Sequence, residues 1–168
     1  MQDRYSVRVV KDSLVFSAAH FITYAGGQCE RLHGHNYRVE VEAAGPLDAN
    51  GYVLDFLAVR DAALGIVAKL DHRMLLPGRS ALIAVATAEG RTTARFGARE
   101  WSFPADECVV LPLANTTAEL LARWIGGELC SALLAVGAPR PETLAVSVEE
   151  NFGQWARCVL GLTGESFP

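Results

Sequence analysis

Histidine and cysteine lie close together in the segment CERLHGHNY, residues 29 to 37. On an extended strand, residues i and i+2 project to the same side, about 7 Å apart at the backbone, so His33 and His35 can direct both imidazoles to one point. Gly34 between them lets another backbone or a ligand approach closely. A third histidine, His20, ends the extended segment LVFSAAH, and pairing of the two strands can bring it to the same place. Three neutral histidines with an open fourth position are typical of a catalytic zinc site, where the metal binds and polarises a substrate oxygen.

Two other interpretations of this cluster stay open on spacing alone. An HxH pair is often no more than two surface histidines on a strand, although only four histidines occur in the chain and a cysteine lies nearby. Cys29 can also complete a closed structural site of one cysteine and three histidines, because four-ligand zinc sites of this kind are common.

Composition limits the class of protein. A length of 168 residues predicts one domain over residues 1–168, and 51% hydrophobic with 20% charged residues is enough to build a core. A net charge of −4 argues against a nucleic-acid or anionic-membrane partner, and no apolar run is long enough to span a bilayer. The first residues carry no signal-peptide pattern, so we expect a cytoplasmic protein whose thiols are reduced. Those thiols are Cys29, Cys108, Cys130 and Cys158.

Residue periodicity predicts the elements that position the cluster. In HNYRVEVEAAG apolar and charged residues alternate, which predicts a half-buried antiparallel strand. Apolar residues recur at helical spacing over residues 57–70, and the capping-box spacing of residues 116–119 predicts the start of a second helix. The late segments TLAVSVEEN and QWARCVLGL indicate two final strands. Strands and helices are grouped along the chain, which predicts an α+β fold: an antiparallel sheet with helices on one face.

Residues 78–112 interrupt this pattern between the two helices. The segments ALIAVATAEG and RTTARFGAREWSF indicate short strands around a turn at Glu89 and Gly90. The sequence therefore predicts an extra hairpin inserted between the helices.

An ordered set of motifs resembles a known family. FSAAH, CERLHGHNY, GYVLDF, LDHRML, NTTAELLARWI and SVEEN follow one another as they do in the 6-pyruvoyltetrahydropterin synthase family, which includes the bacterial 6-carboxytetrahydropterin synthases of the queuosine pathway. The match covers residues 5–77 and 113–160. One departure is Phe21, because relatives often have an arginine after the histidine that corresponds to His20; a phosphate-binding role at this position is therefore in doubt.

The resemblance implies roles for the residues around the cluster. It assigns Cys29 as a thiolate general base, which needs a pKa below its usual value of about 8.5, rather than as a fourth metal ligand. It assigns Asp71 and His72 as the pair that completes proton transfer, although the same pair at a helix end could serve only as a C-terminal cap. The zinc ligands that it implies are His20, His33 and His35.

The resemblance also implies how the substrate is held. Glu150 is similar to the carboxylate that grips the amino-pyrimidinone edge of the pterin, since a carboxylate accepts two parallel N–H donors; a shift of one residue would give Glu149 this role. Thr117 lies in a segment that the family places near the pterin, although a helix cap also explains it. The arginines of residues 78–112 could form a solvated face or help to hold a triphosphate. They are Arg79, Arg91, Arg95 and Arg99.

The implied fold is the tunnelling fold, a four-stranded antiparallel sheet with two helices on one face. Sheets of several subunits would join into a barrel, commonly a hexamer of two trimers, with the site at a subunit interface. The implied activity is that of a zinc-dependent lyase that acts on 7,8-dihydroneopterin triphosphate and releases triphosphate, with either a 6-carboxy or a 6-pyruvoyl product. The alternatives are a non-catalytic zinc- or pterin-binding homologue and a family member that acts on a different pterin.

Overall fold

The structure is a computed structural model that describes residues 3–162. In chain order its strands and helices are β1 (Tyr5–His20), β2 (Thr23–Tyr24), β3 (Gln28–Cys29), β4 (His33–Gly45), α1 (Phe56–Leu70), β5 (Arg73–Pro77), β6 (Ala84–Ala88), β7 (Arg91–Phe96), β8 (Arg99–Pro104), β9 (Cys108–Leu111), α2 (Ala118–Ala135), β10 (Thr143–Asn151) and β11 (Gln154–Gly161). A 3-10 turn at Ala105–Glu107 links β8 to β9.

The main sheet has the strand order β11-β10-β4-β1-β5-β9. The four long strands β11, β10, β4 and β1 pair in antiparallel fashion, as the sequence predicts. The predicted four-stranded antiparallel sheet is therefore present, and two short strands extend it: β5 pairs in parallel with β1, and β9 pairs in parallel with β5. Both added strands are short apolar segments, RMLLP and CVVL. The α+β class is confirmed.

One face of the sheet carries the core. Tyr37, Val39 and Val41 of β4 are almost fully buried, as the alternation of β4 predicts. Helices α1 and α2 pack on this face, α1 mainly against β1 and α2 against β10 and β11. The approach of α2 is close at Gly126, where a Cβ atom would lie 2.8 Å from the Leu160 side chain. Neither helix is long and apolar enough to cross a bilayer within residues 3–162.

Side chains cap both helices at their first turn. Asp55 precedes α1 and accepts a hydrogen bond from the backbone N–H of Leu57. Thr117, rather than Thr116, caps α2, so the predicted capping box begins one residue too early. The physical reason is that the hydroxyl of Thr116 is buried and donates to the carbonyl of Phe21 instead.

A second sheet of three antiparallel strands, β6-β7-β8, occupies most of the predicted insertion. The turn at Glu89 and Gly90 is confirmed, since both residues lie between β6 and β7 with positive φ. The predicted hairpin thus has a third strand, and β9 at the end of the range belongs to the main sheet instead. Trp101 of β8 stacks on the buried ring of Phe21, with ring centroids 4.4 Å apart, so this small sheet is packed against the end of β1.

Candidate metal centre and active site

The three histidines converge at the ends of β1 and β4. His20 pairs directly with His33, and Ala18 pairs with His35, so the antiparallel register brings all three imidazoles to the helix-covered face. Their ring centroids are 4.7 to 5.3 Å apart. One nitrogen from each ring lies within 4.8 Å of the others, which fits a single metal ion. The backbone of β1 passes close to Gly34, where a Cβ atom would lie 3.1 Å from the carbonyl oxygen of Ala18.

Backbone carbonyls orient two of these rings. Nδ1 of His20 lies 3.0 Å from the carbonyl oxygen of Thr116, and Nδ1 of His33 lies 2.8 Å from that of Arg31. An Nδ1–H that donates to a carbonyl leaves Nε2 unprotonated and free to bind a metal. Burial lowers the pKa of His20 to about 4, so its ring is neutral at physiological pH, as a metal ligand must be. The donor set therefore fits a metal cation.

Two further side chains close this site. The hydroxyl of Tyr37 lies 3.2 Å from Nε2 of His20 and 3.4 Å from Oε1 of Glu150. The same Glu150 oxygen lies 3.4 Å from His20 Nε2. Burial raises the pKa of Glu150 and that of Tyr37. Sequence reasoning treated Tyr37 as a strand residue, although its position two residues after His35 places it on the same face.

Glu149 and Glu150 lie on opposite faces of β10. Glu149 pairs with Arg38 on the face away from the helices, and it accepts a hydrogen bond from the backbone N–H of Gly153. Glu150 lies beside Tyr37 and His20 of its own chain. Of the two carboxylates left open by the sequence, Glu150 is thus the one that adjoins the histidine cluster.

Cys29 lies on β3, directly before Glu30, and it is not among the grouped ligand atoms of the described residues. Burial raises the pKa of its thiol; the positive charge of Arg99 opposes this effect and the negative charge of Glu30 adds to it. The Glu30 carboxylate itself lies 3.9 Å from Nε2 of His33. Sequence reasoning gave Glu30 no role, although it stands directly beside the cysteine.

The Asp71–His72 pair lies in a different place. Asp71 ends α1, accepts a hydrogen bond from the backbone N–H of Ser17, and lies 2.9 Å from Nδ1 of His72. His72 is 81% exposed and lines an open groove of about 520 Å³ together with Gly34 and Asn36, whose positions alternate with those of the histidines. The groove therefore lies across the sheet from the histidine cluster, and His35 borders both.

Thr117 contributes to the site through the helix that it caps. Its hydroxyl accepts the N–H of Leu120 at 3.5 Å, and the residue before it supplies the carbonyl that orients His20. The start of α2 thus orients one of the three clustered histidines, a contact that no sequence signal beyond the cap could predict.

Known proteins match this chain along nearly its whole length. The family model described as 6-pyruvoyl tetrahydropterin synthase matches residues 9–159. The chain belongs to the 6-pyruvoyl tetrahydropterin synthase family, a family of lyases. A Methanocaldococcus jannaschii protein, provisionally named a 6-carboxy-5,6,7,8-tetrahydropterin synthase, is 30% identical over 144 residues, which cover 85% of this chain and 88% of the relative.

Two other known proteins extend the comparison. The solved structure of Plasmodium falciparum 6-pyruvoyl tetrahydropterin synthase superposes with a TM-score of 0.86 at 29% identity, and the match covers 96% of this chain and all of that one. The dihydroneopterin monophosphate aldolase of Pyrococcus furiosus is 42% identical over a shorter stretch of 60 residues, which is 36% of this chain and half of the relative. The fold is thus that of a family that acts on pterins.

Proposed function

We propose that the protein is a zinc-dependent 6-carboxy- or 6-pyruvoyl-tetrahydropterin synthase that acts on 7,8-dihydroneopterin triphosphate with loss of triphosphate. The observation that supports this most is the convergence of His20, His33 and His35 beside the carboxylate of Glu150. A histidine triad with an adjacent acidic side chain provides a metal position and a substrate anchor on the same face of one sheet.

The three histidines would hold the zinc ion through ring nitrogens, two of them oriented by carbonyls. When bound, zinc polarises the oxygens of the pterin side chain and favours loss of a proton from the neighbouring carbon. Glu150 binds the amino-pyrimidinone edge of the pterin through two parallel hydrogen bonds. Thr117 supports the same face of the site from the start of α2, where the carbonyl of Thr116 orients His20.

Cys29 is the general base of this proposal. Its thiol is partly buried on β3, where burial alone raises the pKa, so the thiolate depends on neighbouring positive charge. The guanidinium of Arg99 acts in that direction, and a divalent ion held by the histidines would add to its effect. Cys29 then takes the proton at the side-chain carbon and holds it close to the reacting atoms.

Asp71 and His72 serve the proposal as a proton relay contributed by a neighbouring subunit. Within one chain the pair lies in the groove across the sheet from the histidines, so a second copy must bring another Asp71–His72 pair to Cys29. The edge strands β9 and β11 offer unpaired backbone groups for joining sheets between copies. We therefore propose a closed homo-oligomer, a hexamer of two trimers, whose site is complete only at the interface.

The 6-carboxy product is favoured over the 6-pyruvoyl product. Its support is the M. jannaschii relative, which is matched over most of its length. The deciding experiment is anaerobic incubation of the zinc-loaded protein with the triphosphate, followed by mass identification of the pterin and an acetaldehyde assay. Acetaldehyde formed in step with the pterin supports the carboxy product, and a pyruvoyl pterin without acetaldehyde reverses it. An untouched substrate with zinc fully bound would support a non-catalytic homologue.

A second candidate is cleavage of a different pterin, with Glu30 as the base. The Glu30 carboxylate lies 3.9 Å from a proposed zinc ligand, and its side chain is only 35% exposed. The P. furiosus aldolase, named for dihydroneopterin monophosphate, shares part of this chain's sequence. Incubation with dihydroneopterin monophosphate tests this candidate: turnover that survives Cys29→Ala but not Glu30→Gln would establish it.

A further inference from the structure

Arg99 reaches from the small sheet to the segment that carries Cys29. Its guanidinium donates to the carbonyl oxygen of Cys29 at 2.7 Å and to that of Glu30 at 3.1 Å. Both contacts join residues about 70 positions apart in sequence. The planar fork of arginine suits two neighbouring acceptors, whereas the single ammonium group of lysine does not offer this geometry. The interpretation of Arg99 as part of a solvated face is therefore wrong.

Aromatic rings hold this guanidinium in place. Its central carbon lies 5.3 Å from the ring centroid of Phe96 and 5.3 Å from that of Trp101, distances at which a cation is attracted to the ring faces. Trp101 in turn stacks on Phe21, which directly follows His20. Phe21, which stands where relatives often have an arginine, thus has a structural role: its ring packs the small sheet against the end of β1, next to His20.

Two charged groups face the Cys29 thiol. Arg99 favours the thiolate and Glu30 opposes it. The two arginines of the neighbouring strand β7 have other partners, since Arg91 donates to Ser102 and Arg95 pairs with Glu100. Arg99 is therefore the cation of the small sheet that acts on this thiol.

We propose that Arg99 is a positioning residue for the general base: it fixes the backbone at Cys29 and Glu30 and keeps a positive charge beside the Cys29 sulfur. This inference rests on the proposed role of Cys29 as the base. If Arg99 has this role, the β6-β7-β8 sheet supports the active site.

The test compares Arg99→Gln and Arg99→Lys with Arg95→Gln, a control on the same sheet whose side chain pairs with exposed Glu100. Iodoacetamide alkylation of Cys29 is followed as a function of pH by mass spectrometry of its peptide, which separates it from the other cysteines. Metal-free and zinc-loaded samples of each variant are measured, with thermal unfolding as a check of the fold. Because the readout needs no substrate, it decides the role of Arg99 even if the proposed reaction fails.

Arg99→Gln should raise the alkylation midpoint of Cys29 by about one pH unit, which is about tenfold slower reaction below the midpoint. Arg95→Gln should match the wild type. Arg99→Lys should restore the midpoint but lower kcat, because it keeps the charge without the two-carbonyl fork. An unchanged midpoint in folded Arg99→Gln would overturn the proposal. If Arg99→Gln does not fold, wild-type kcat in Arg99→Lys would overturn the positioning role.

Discussion

Nε2 of His20 and Oε1 of Glu150 lie 3.4 Å apart, although they come from the first strand and from the tenth. His20, whose Nδ1 faces the carbonyl of Thr116 at the start of α2, is thus also in contact with Glu150, the proposed substrate anchor. A substitution of His20 should therefore affect pterin binding, and a substitution of Glu150 should affect metal binding.

Metal binding should depend on the clustered histidines and not on the fourth. His33→Ala removes one of three ligands, so we expect metal content to fall from about one equivalent per chain to a small fraction. His72→Ala is the matched control, because His72 is 81% exposed and lies in the groove. Elemental analysis of the purified variants measures the effect. Equal metal loss in both variants would contradict the assigned ligand set.

Removal of the thiol should separate binding from catalysis. Cys29 lies outside the group of metal-binding atoms, so Cys29→Ala should retain zinc and lose at least about 100-fold in kcat, a typical contribution of a general base. Cys158→Ala, on β11, serves as the control with unchanged activity. If Cys29→Ala instead loses the metal, the closed structural site with four protein ligands is correct.

The two adjacent carboxylates of β10 should behave differently. Glu150→Gln should weaken pterin binding by about tenfold or more, because the lost charge weakens both hydrogen bonds to the ring. Glu149→Gln should leave pterin affinity unchanged, since Glu149 lies on the other face and holds the N–H of Gly153. Titration with neopterin, followed by fluorescence, measures both. A larger loss of affinity in Glu149→Gln would show that the anchor has been assigned one residue too late.

The Asp71 carboxylate should stabilise the fold in a pH-dependent way. Hydrogen bonds from Ser17 and His72 lower the pKa of Asp71 below its ordinary 3.8. Since the folded-state pKa is the lower one, its stabilisation is present above pH 3.8 and is lost as the pH falls through the folded value. Asp71→Asn should therefore cost about 1 kcal/mol of unfolding free energy at pH 7, and less in acid.

Urea unfolding at several pH values tests this prediction for Asp71. The exposed Asp61 on α1 pairs with its neighbour Arg60, so Asp61→Asn is the control and should change little. A stability difference between Asp71→Asn and the wild type that stays constant down to the lowest pH would show that the carboxylate charge is not involved.

Assembly should depend on the sheet edges. Val159 on the edge strand β11 is 57% exposed, and lysine on an edge strand opposes pairing with another chain. Val159→Lys should therefore reduce the mass measured by light scattering after size exclusion, while Val136→Lys, beyond the end of α2, should not. A wild-type protein that is a strict monomer at micromolar concentration would contradict the proposal that the site is completed at a subunit interface.

Periodicity was sufficient for the long elements of this fold. The alternation in β4 and the apolar spacing of α1 and α2 are local patterns, and they predicted the antiparallel strands and the helices near their observed bounds. The strands β5 and β9 were missed because RMLLP and CVVL are short apolar runs without alternation, whose parallel pairing is set by distant partners.

The cluster of three histidines was predictable from the sequence, and the residues that surround it were not. The spacing of His33 and His35 in the sequence indicates that they lie on one face, and pairing of β1 with β4 brings His20 to the same place. The contact of Arg99 with the Cys29 carbonyls depends on how the small sheet docks through Phe21 and Trp101. Such a contact between distant segments leaves no local pattern in the sequence.

The register of β1 against β4 affects which folded molecules can bind a metal. The pairing runs from Tyr5 with Gly45 to His20 with His33, and an irregularity between Val10 and Val15 interrupts it. A slip of one residue would turn His20 to the other face and destroy the cluster. Only chains in the native register could then gain the free energy of metal binding. Metal binding during folding would thus stabilise the molecules with the native register over those in which β1 and β4 pair out of register.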